Sequence, residues 1–467
     1  MISESTLVNV SRQNDALTFN GAITNSTSLN NVLDLFFIAG ASRRMYDKDI
    51  IKMFDAALAE NTLLTVKLLF WARDIRGGAG ERRFFRICYN YLITNYNDIA
   101  NKIMNFVPEY GRWDDLWNVS VYNKELFSLI KKGIDEKNGL LGKWLPRQPK
   151  NNSLFYNKLL RFLDLNSKDY RKLIVGLSKT VEQQLCTNKW DDVEYSKVPS
   201  QSMNKYRKAF YKHDSDRFKL FIDSAVKGEV KINSGAIFPY QLYQAINNGE
   251  NAQAVQAQWN SLPNYMENCN ERILPMCDVS GSMTGLPMDI SVSLGIYISE
   301  RNEGIFKNAF ITFTSDPTMQ YLTGSLSQRI NQLKGPVGYN TNFEKAFDMI
   351  LSKAKEHNLS QEDMPTMILA ISDMHFDNAS ISGKSVTALK AISNKYTNAG
   401  YKMPKLVFWN VNGSINNVPA NINDKNTALI SGASPSIVKS VLAGKDFSPI
   451  GIMLETLNSK RYENIVL

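Results

Sequence analysis

Residues 273–282 read ILPMCDVSGS. A short apolar run ends at Asp278, and two hydroxyls follow at alternate positions, Ser280 and Ser282. An apolar run of that length, closed by polar residues, predicts a strand buried on both faces. The same grammar returns in IFKNAFITFT (305–314), TMILAISD (366–373), KLVFWNV (405–411) and TALISG (427–432). Between these runs lie stretches with helical spacing: MDISVSLGIYISERN (288–302), TNFEKAFDMILSKAKEHN (341–358), GKSVTALKAISNKYTNAG (383–400) and SPSIVKSVLAG (434–444). Strands alternating with helices predict a mainly parallel sheet covered on both faces. In such sheets the crevice for a ligand lies beyond the carboxyl ends of the strands.

Chemistry is therefore expected just after each apolar run. Asp278, Ser280 and Ser282 place one carboxylate and two hydroxyls on a tight loop, and these are hard oxygen ligands suited to Mg²⁺, Mn²⁺ or Ca²⁺. Gly281 lets the loop turn sharply. Further donors are expected from Thr341, in the run GYNTN before a helix, and from Asp373, after the run TMILAIS. Thr341 is also a candidate N-cap for that helix. A metal-dependent phosphatase of the haloacid dehalogenase type is the enzymatic competitor. It needs a second Asp two residues after the first, as proton donor, and here that position is Ser280. No catalytic residue is assigned, and a non-enzymatic protein is expected.

Upstream the pattern changes. From about residue 28 to 245, LNNVLDLFFIAGAS, DIIKMFDAALAEN, TLLTVKLLFWARDI, RRFFRICYNYLITNY, KELFSLIKKGIDE, NSLFYNKLLRFLDL, DYRKLIVGLSKTVEQQL, MNKYRKAFYKHDSDRFKLFIDSAVKG and PYQLYQAINN carry apolar residues at three-to-four spacing. Successive amphipathic helices of this length bury their faces by stacking as hairpins, in an irregular solenoid-like array. The Asn- and Gln-rich stretch 246–270 is the expected boundary, near residue 265. The division is then an N-terminal extension over 1–27, an α-helical repeat domain over 28–265 and an α/β domain over 266–467. The extension, rich in Ser, Asn and Thr, is expected to pack late.

Composition narrows the function. The chain has 467 residues, 43% of them hydrophobic and 21% charged, which is globular. No apolar run is long enough to span a membrane, and the start of the chain predicts no secretory signal. Four scattered cysteines without a CxxC pair argue against a disulfide framework or a zinc site, and three histidines exclude chemistry built on several imidazoles. A cytoplasmic setting, or a virion if the chain is viral, is expected. The net charge of +9 lies wholly in the first half: residues 1–250 hold 36 basic and 27 acidic side chains, residues 251–467 hold 18 of each. Such asymmetry suggests a polyanion partner.

Two basic runs are candidates for nucleic-acid contact. WARDIRGGAGERRFFR (71–86) supplies Arg73, Arg76, Arg82, Arg83 and Arg86 around a glycine-rich turn. Guanidinium forks suit phosphate, although no Gly-Lys-Ser/Thr of a P-loop follows. The alternative is a buried turn whose arginines pair with neighbouring carboxylates. KYRKAFYKHDSDR (205–217) interleaves Lys205, Arg207, Lys208, Lys212 and Arg217 with aromatic rings, as single-stranded RNA contacts require. Its alternative is an amphipathic helix with a solvated basic face. A weaker cluster is Lys143, Trp144, Arg147 and Lys150. The runs Trp113-Asp114-Asp115 and Trp190-Asp191-Asp192 read as inter-helix turns, Asp capping and Trp in the core.

Residues 271–467 resemble a von Willebrand factor A domain. Its metal-ion-dependent adhesion site has the form DxSxS, then Thr, then Asp, matched by Asp278, Ser280 and Ser282, by Thr341 and by Asp373. The resemblance implies a Mg²⁺ site with one open coordination position that a partner's carboxylate fills. The order of segments FWARDIRGGAGERR, VPEYGRWDDLW, KWLPRQ, KWDDVEYSKVPS, KAFYKHDSDRF and GEVKINSGAIFPYQL, followed by that domain, is similar to the Ro autoantigen (TROVE) class and its viral, bacterial and plant relatives. The resemblance implies HEAT-like helical repeats whose basic surface binds structured or single-stranded RNA in a ribonucleoprotein. The competing expectation is an assembly module that grips an acidic protein partner through the metal site.

Overall fold

A computed structural model of the chain describes residues 14–148, 152–178, 180–267, 269–313, 316–333, 342–381 and 384–467. A helical first half is followed by an α/β second half whose sheet is mostly parallel. The helical half opens with α1 (Asn31–Ala39), α2 (Asp47–Glu60), α3 (Thr62–Arg73) and α4 (Arg82–Asn95), and each packs on its neighbour. Asn30 caps α1 by accepting from the Leu33 N–H, and Asn61 caps α3 in the same way. The middle helices include α5 (Lys124–Asp135), α6 (Ser153–Leu163), α7 (Ser167–Leu177), α8 (Ser200–His213) and α9 (Ser215–Val226). Helix α5 shows why they stack: Leu126, Phe127 and Ile130 face inward while its lysines stay in solvent.

The Asn/Gln-rich stretch expected to be a boundary contains a helix. α10 (Pro239–Asn247) is followed by α11 (Ala252–Asn260), whose Trp259 is fully buried. Its glutamines read as loop, but Gln258 is buried and receives a hydrogen bond from Arg207.

The second half is built on a six-stranded sheet. After the short N-terminal hairpin β1 (Ala16–Leu17) and β2 (Ile23–Thr24), its strands are β3 (Ile273–Asp278), β4 (Ala309–Phe313), β5 (Thr318–Tyr321), β6 (Met367–Ser372), β9 (Lys405–Asn410) and β10 (Thr427–Ser431). A small hairpin of β7 (Ala379–Ile381) and β8 (Lys384–Val386) stands apart. The sheet order is β10-β9-β6-β3-β4-β5, all parallel except the edge strand β5. From β3 the chain winds first towards β4 and then returns to β6 on the other side. The switch point therefore lies between β3 and β6, where a crevice opens beyond their carboxyl ends. Helix α12 (Leu286–Arg301) packs against β3, β4 and β6. Its Gly295 is required because a Cβ there would meet the Cys277 sulfur at 2.3 Å.

The large apolar core does not divide near 265. It runs without a break from Val32 in α1 to Ile465 near the end of the chain. Helix α1 lies against β10, with the Ser431 hydroxyl donating to the Phe36 carbonyl and accepting from the Gly40 N–H. At the other end of the helical half, α10 packs on α12. A smaller second core gathers around Tyr195, Phe210, Phe218 and Ile222.

Candidate functional site

The register of β3 with β6 pairs Cys277 with Ile371, so Asp278 stands level with Ser372 at the crest. Asp278 is fully buried. One of its carboxylate oxygens accepts from the Ser280 N–H at 2.9 Å, and the other from the Ser372 hydroxyl at 2.5 Å. The Ser280 and Ser282 hydroxyls lie 3.2 Å apart, the first buried and the second exposed. Asp373 is buried on the adjoining loop, where one oxygen accepts from the His375 N–H at 3.2 Å. Its other oxygen has no hydrogen-bond partner. Burial, and then the charge of Asp373, push the Asp278 carboxyl well above the usual carboxylate range.

This arrangement is unfavourable as it stands. Two buried carboxylates lie together and one oxygen is unpaired, which costs free energy unless a cation joins them. The donors are carboxylate and hydroxyl oxygens that converge from two loops, the chemistry that Mg²⁺, Mn²⁺ and Ca²⁺ prefer. Among the described residues, no group of three or more His, Cys, Asp or Glu side chains gathers. Asp278, Ser280, Ser282 and Asp373 thus come together, whereas Thr341 lies outside the described residues. The N-cap of the helix after it, Phe343–Glu356, is Asn342, which accepts from the Lys345 N–H at 2.8 Å. Ser372 is the participant the sequence reading missed. The signal was its place in the triplet Ile-Ser-Asp, level with Asp278.

The N-terminal extension borders this crevice. Gly21 bridges to Asp377, Ile23 to Thr387 and Asn25 to Val418, so the segment crosses the crest of the sheet. The Thr18 hydroxyl donates to the Phe376 carbonyl at 2.8 Å, and the Asn20 amide to the His375 carbonyl at 2.7 Å. His375 Nδ1 lies 3.4 Å from both the Phe19 N and the Asn417 amide nitrogen. Residues 14–27 of the extension thus take a defined place, their backbone pairing directly with the second half.

The arginine-rich turn has a different design. Arg73 is buried and bonds Asp115 at 2.7 Å, and Arg86 bonds both Asp114 and Asp115. Arg83 donates to the carbonyls of Ser42 and Met45 and pairs with Asp47. The run Trp113-Asp114-Asp115 is therefore the internal counter-charge of this turn, with Trp113 buried as expected. A groove-facing role for Arg73 is corrected on that ground, because its guanidinium is buried and occupied, whereas Arg83 and Arg86 are paired but partly exposed. Arg76 and Arg82 are exposed. Partial burial, and then the charges of Arg112, Arg86 and Arg73, lower the basicity of Arg82.

The glycines of the turn serve close packing, Gly77 against the second half and Gly78 within the turn itself. A Cβ at Gly77 would meet the Arg461 side chain at 2.5 Å, and one at Gly78 the Trp71 carbonyl oxygen at 1.9 Å. Arg461 and the Tyr462 hydroxyl both bond the buried Asp74.

The second basic run divides along its helix. Arg207 is buried against Glu250, Asn204 and Gln258. Arg217 bonds the carbonyls of Asp191 and Val193. Arg207 is thereby corrected from a candidate RNA contact to a support of the helical packing, whereas Arg217 is paired but partly exposed. Lys205, Lys208 and Lys212 are exposed, and their spacing puts them on one face of α8.

No described helix is long and apolar enough to cross a membrane. Residues 18–119 and 158–270 match the model of a domain of unknown function, DUF2828, and residues 272–462 match that of another, DUF7788. The two matched regions meet near residue 271, between α11 and β3. The chain is also 27% identical to "Uncharacterized protein L728" of Acanthamoeba polyphaga mimivirus, over 95% of this chain and 87% of that protein.

Proposed function

We propose that the chain is a non-catalytic binding protein whose second half, of the von Willebrand factor A type, holds a divalent cation and uses it to capture an acidic ligand. The observation that carries this reading is the unpaired, buried Asp373 oxygen beside the buried Asp278 carboxyl, with two serine hydroxyls aligned at the same crevice. Asp278, Ser280, Ser282 and Asp373 would hold the ion. Mg²⁺ is the first choice because the donors are few and hard, which leaves room for water or a partner's carboxylate. When bound, the ion supplies a positive charge at the mouth of the crevice. The carboxylates and the serine hydroxyls hold it, and the Ser372 hydroxyl orients the Asp278 carboxylate.

The test is a Mn²⁺ titration of the full chain, followed by loss of the free-ion EPR signal. Uptake in the wild type, abolished in Asp278→Ala and Asp373→Ala, is expected. A wild-type protein that takes up no Mn²⁺ overturns the reading.

RNA binding by a Ro-like helical half is the second reading. The exposed row Lys205, Lys208 and Lys212, together with exposed Arg82, favours it. Phosphate contacts of this kind weaken steeply with salt. RNA that copurifies with the protein and leaves in a high-salt wash is expected. Clean protein that ignores added structured RNA sinks this reading and leaves the cation site standing.

A further inference from the structure

The N-terminal hairpin brings apolar side chains to the rim of the crevice. Thr18 points inward and is buried, while its neighbours Leu17 and Phe19 are 66% and 89% exposed. Leu17 ends β1, and Phe19 opens the turn that the Gly21 N–H closes on the Thr18 carbonyl at 2.9 Å, so the two exposed side chains flank the buried Thr18. They are held in place: Thr18 and Asn20 bond the 375–377 loop, and Gly21 bridges to Asp377. The Phe19 ring meets His375 edge-on, with centroids 6.3 Å apart. His375 in turn donates its backbone N–H to Asp373. Two contacts therefore separate an exposed phenyl ring from a carboxylate of the cation site. Single exposed apolar residues are ordinary, but two that flank one buried residue, in a turn fixed by hydrogen bonds to the loop after Asp373, can serve as the apolar part of a binding surface.

We propose that Leu17 and Phe19 form the second half of the ligand-reading surface, so that the partner taken by the cation site is a protein segment whose acidic residue stands beside an aliphatic or aromatic one. This rests on the reading of Asp278, Ser280, Ser282 and Asp373 as a cation site. The partner's carboxylate completes the ion's coordination, and its apolar neighbour covers the hairpin. The cation gives charge complementarity, while the hairpin selects among the many acidic segments that charge alone accepts.

The probe is a random linear peptide library displayed on phage, selected on the full chain in Mg²⁺ and eluted with EDTA. Recovered sequences with Asp or Glu beside Leu, Ile, Phe or Trp are expected. A synthetic peptide from that set should bind Phe19→Ser about tenfold more weakly than wild type, because a desolvated aromatic anchor is lost. Phe19 is exposed, so the variant keeps its fold. Acidic sequences with no preference beside the carboxylate overturn this inference and leave the cation reading intact. Equal affinity of wild type and Phe19→Ser overturns it as well. No EDTA-eluted enrichment on wild type overturns both.

Discussion

The turn at residues 73–86 and the crevice at Asp278 and Asp373 both concentrate charge out of water, yet they are finished in opposite ways. At the turn, opposite charges meet: Arg73 and Arg86 close on Asp115, and Arg461 on Asp74. At the crevice, like charges meet, and one Asp373 oxygen has no partner. Buried charge that is paired and hydrogen-bonded holds a structure together. Buried charge left unbalanced points to something that binds. The richest charged motif in the sequence is thus structural, pairing within the helical half and, through Asp74 and Arg461, across to the second half, while the sparser one is left with unbalanced charge.

The largest effect should come from breaking the paired turn. Asp115→Ala strands the buried Arg73, leaves Arg86 with Asp114 alone and should cost about 3–5 kcal/mol in urea denaturation. A loss below about 1 kcal/mol would mean that packing, and not pairing, holds the turn. The crevice should respond to metal instead. In EDTA, the raised Asp278 carboxyl keeps its proton in the folded state after the unfolded chain has released it, from about pH 4 upward. The folded state then binds more protons, so stability falls as pH rises towards the raised value. Asp278→Asn should flatten that fall. Mg²⁺ at about 100 times its Kd should raise the stability of the wild type at neutral pH by about 2.7 kcal/mol, read as an upward Tm shift, and leave Asp278→Asn unchanged. The smallest stability effect belongs to the exposed lysine row. Replacing Lys205, Lys208 and Lys212 by Glu should move stability by no more than about 0.5 kcal/mol. The same triple variant should weaken binding of structured RNA about tenfold or more and flatten its salt dependence. Unchanged RNA affinity would remove that row from the second reading.

Local patterning made much of this architecture legible. The apolar runs at 273, 309, 367, 405 and 427 all became strands of the sheet, and their ends carried Asp278 and Asp373. Periodicity also placed α1 to α4 and α10. Distance in sequence hid the rest. Arg73 and Arg86 find Asp115 at separations of 42 and 29 residues, and Asp74 finds Arg461 across 387. No spacing rule reaches so far, so free and occupied arginines look alike in the sequence. The edge strand β5 and the strands β7 and β8 were missed because strands of three or four residues lack a clear apolar run. Helix α11 was hidden by composition, since its buried Gln258 reads as a loop residue.

Helix α1 carries a consequence for how the protein comes into being. Its sequence NVLDLFFIA is buried almost throughout, and its end is hydrogen-bonded to Ser431 across 391 residues of chain. A ribosome adding about 5–20 residues per second delivers that partner strand only after roughly 20–80 s. During that interval a sticky apolar helix is out of the exit tunnel without its native cover. The nascent chain should therefore depend on a holding chaperone, and expression of the first half alone should yield aggregates even though every one of its helices is locally well encoded.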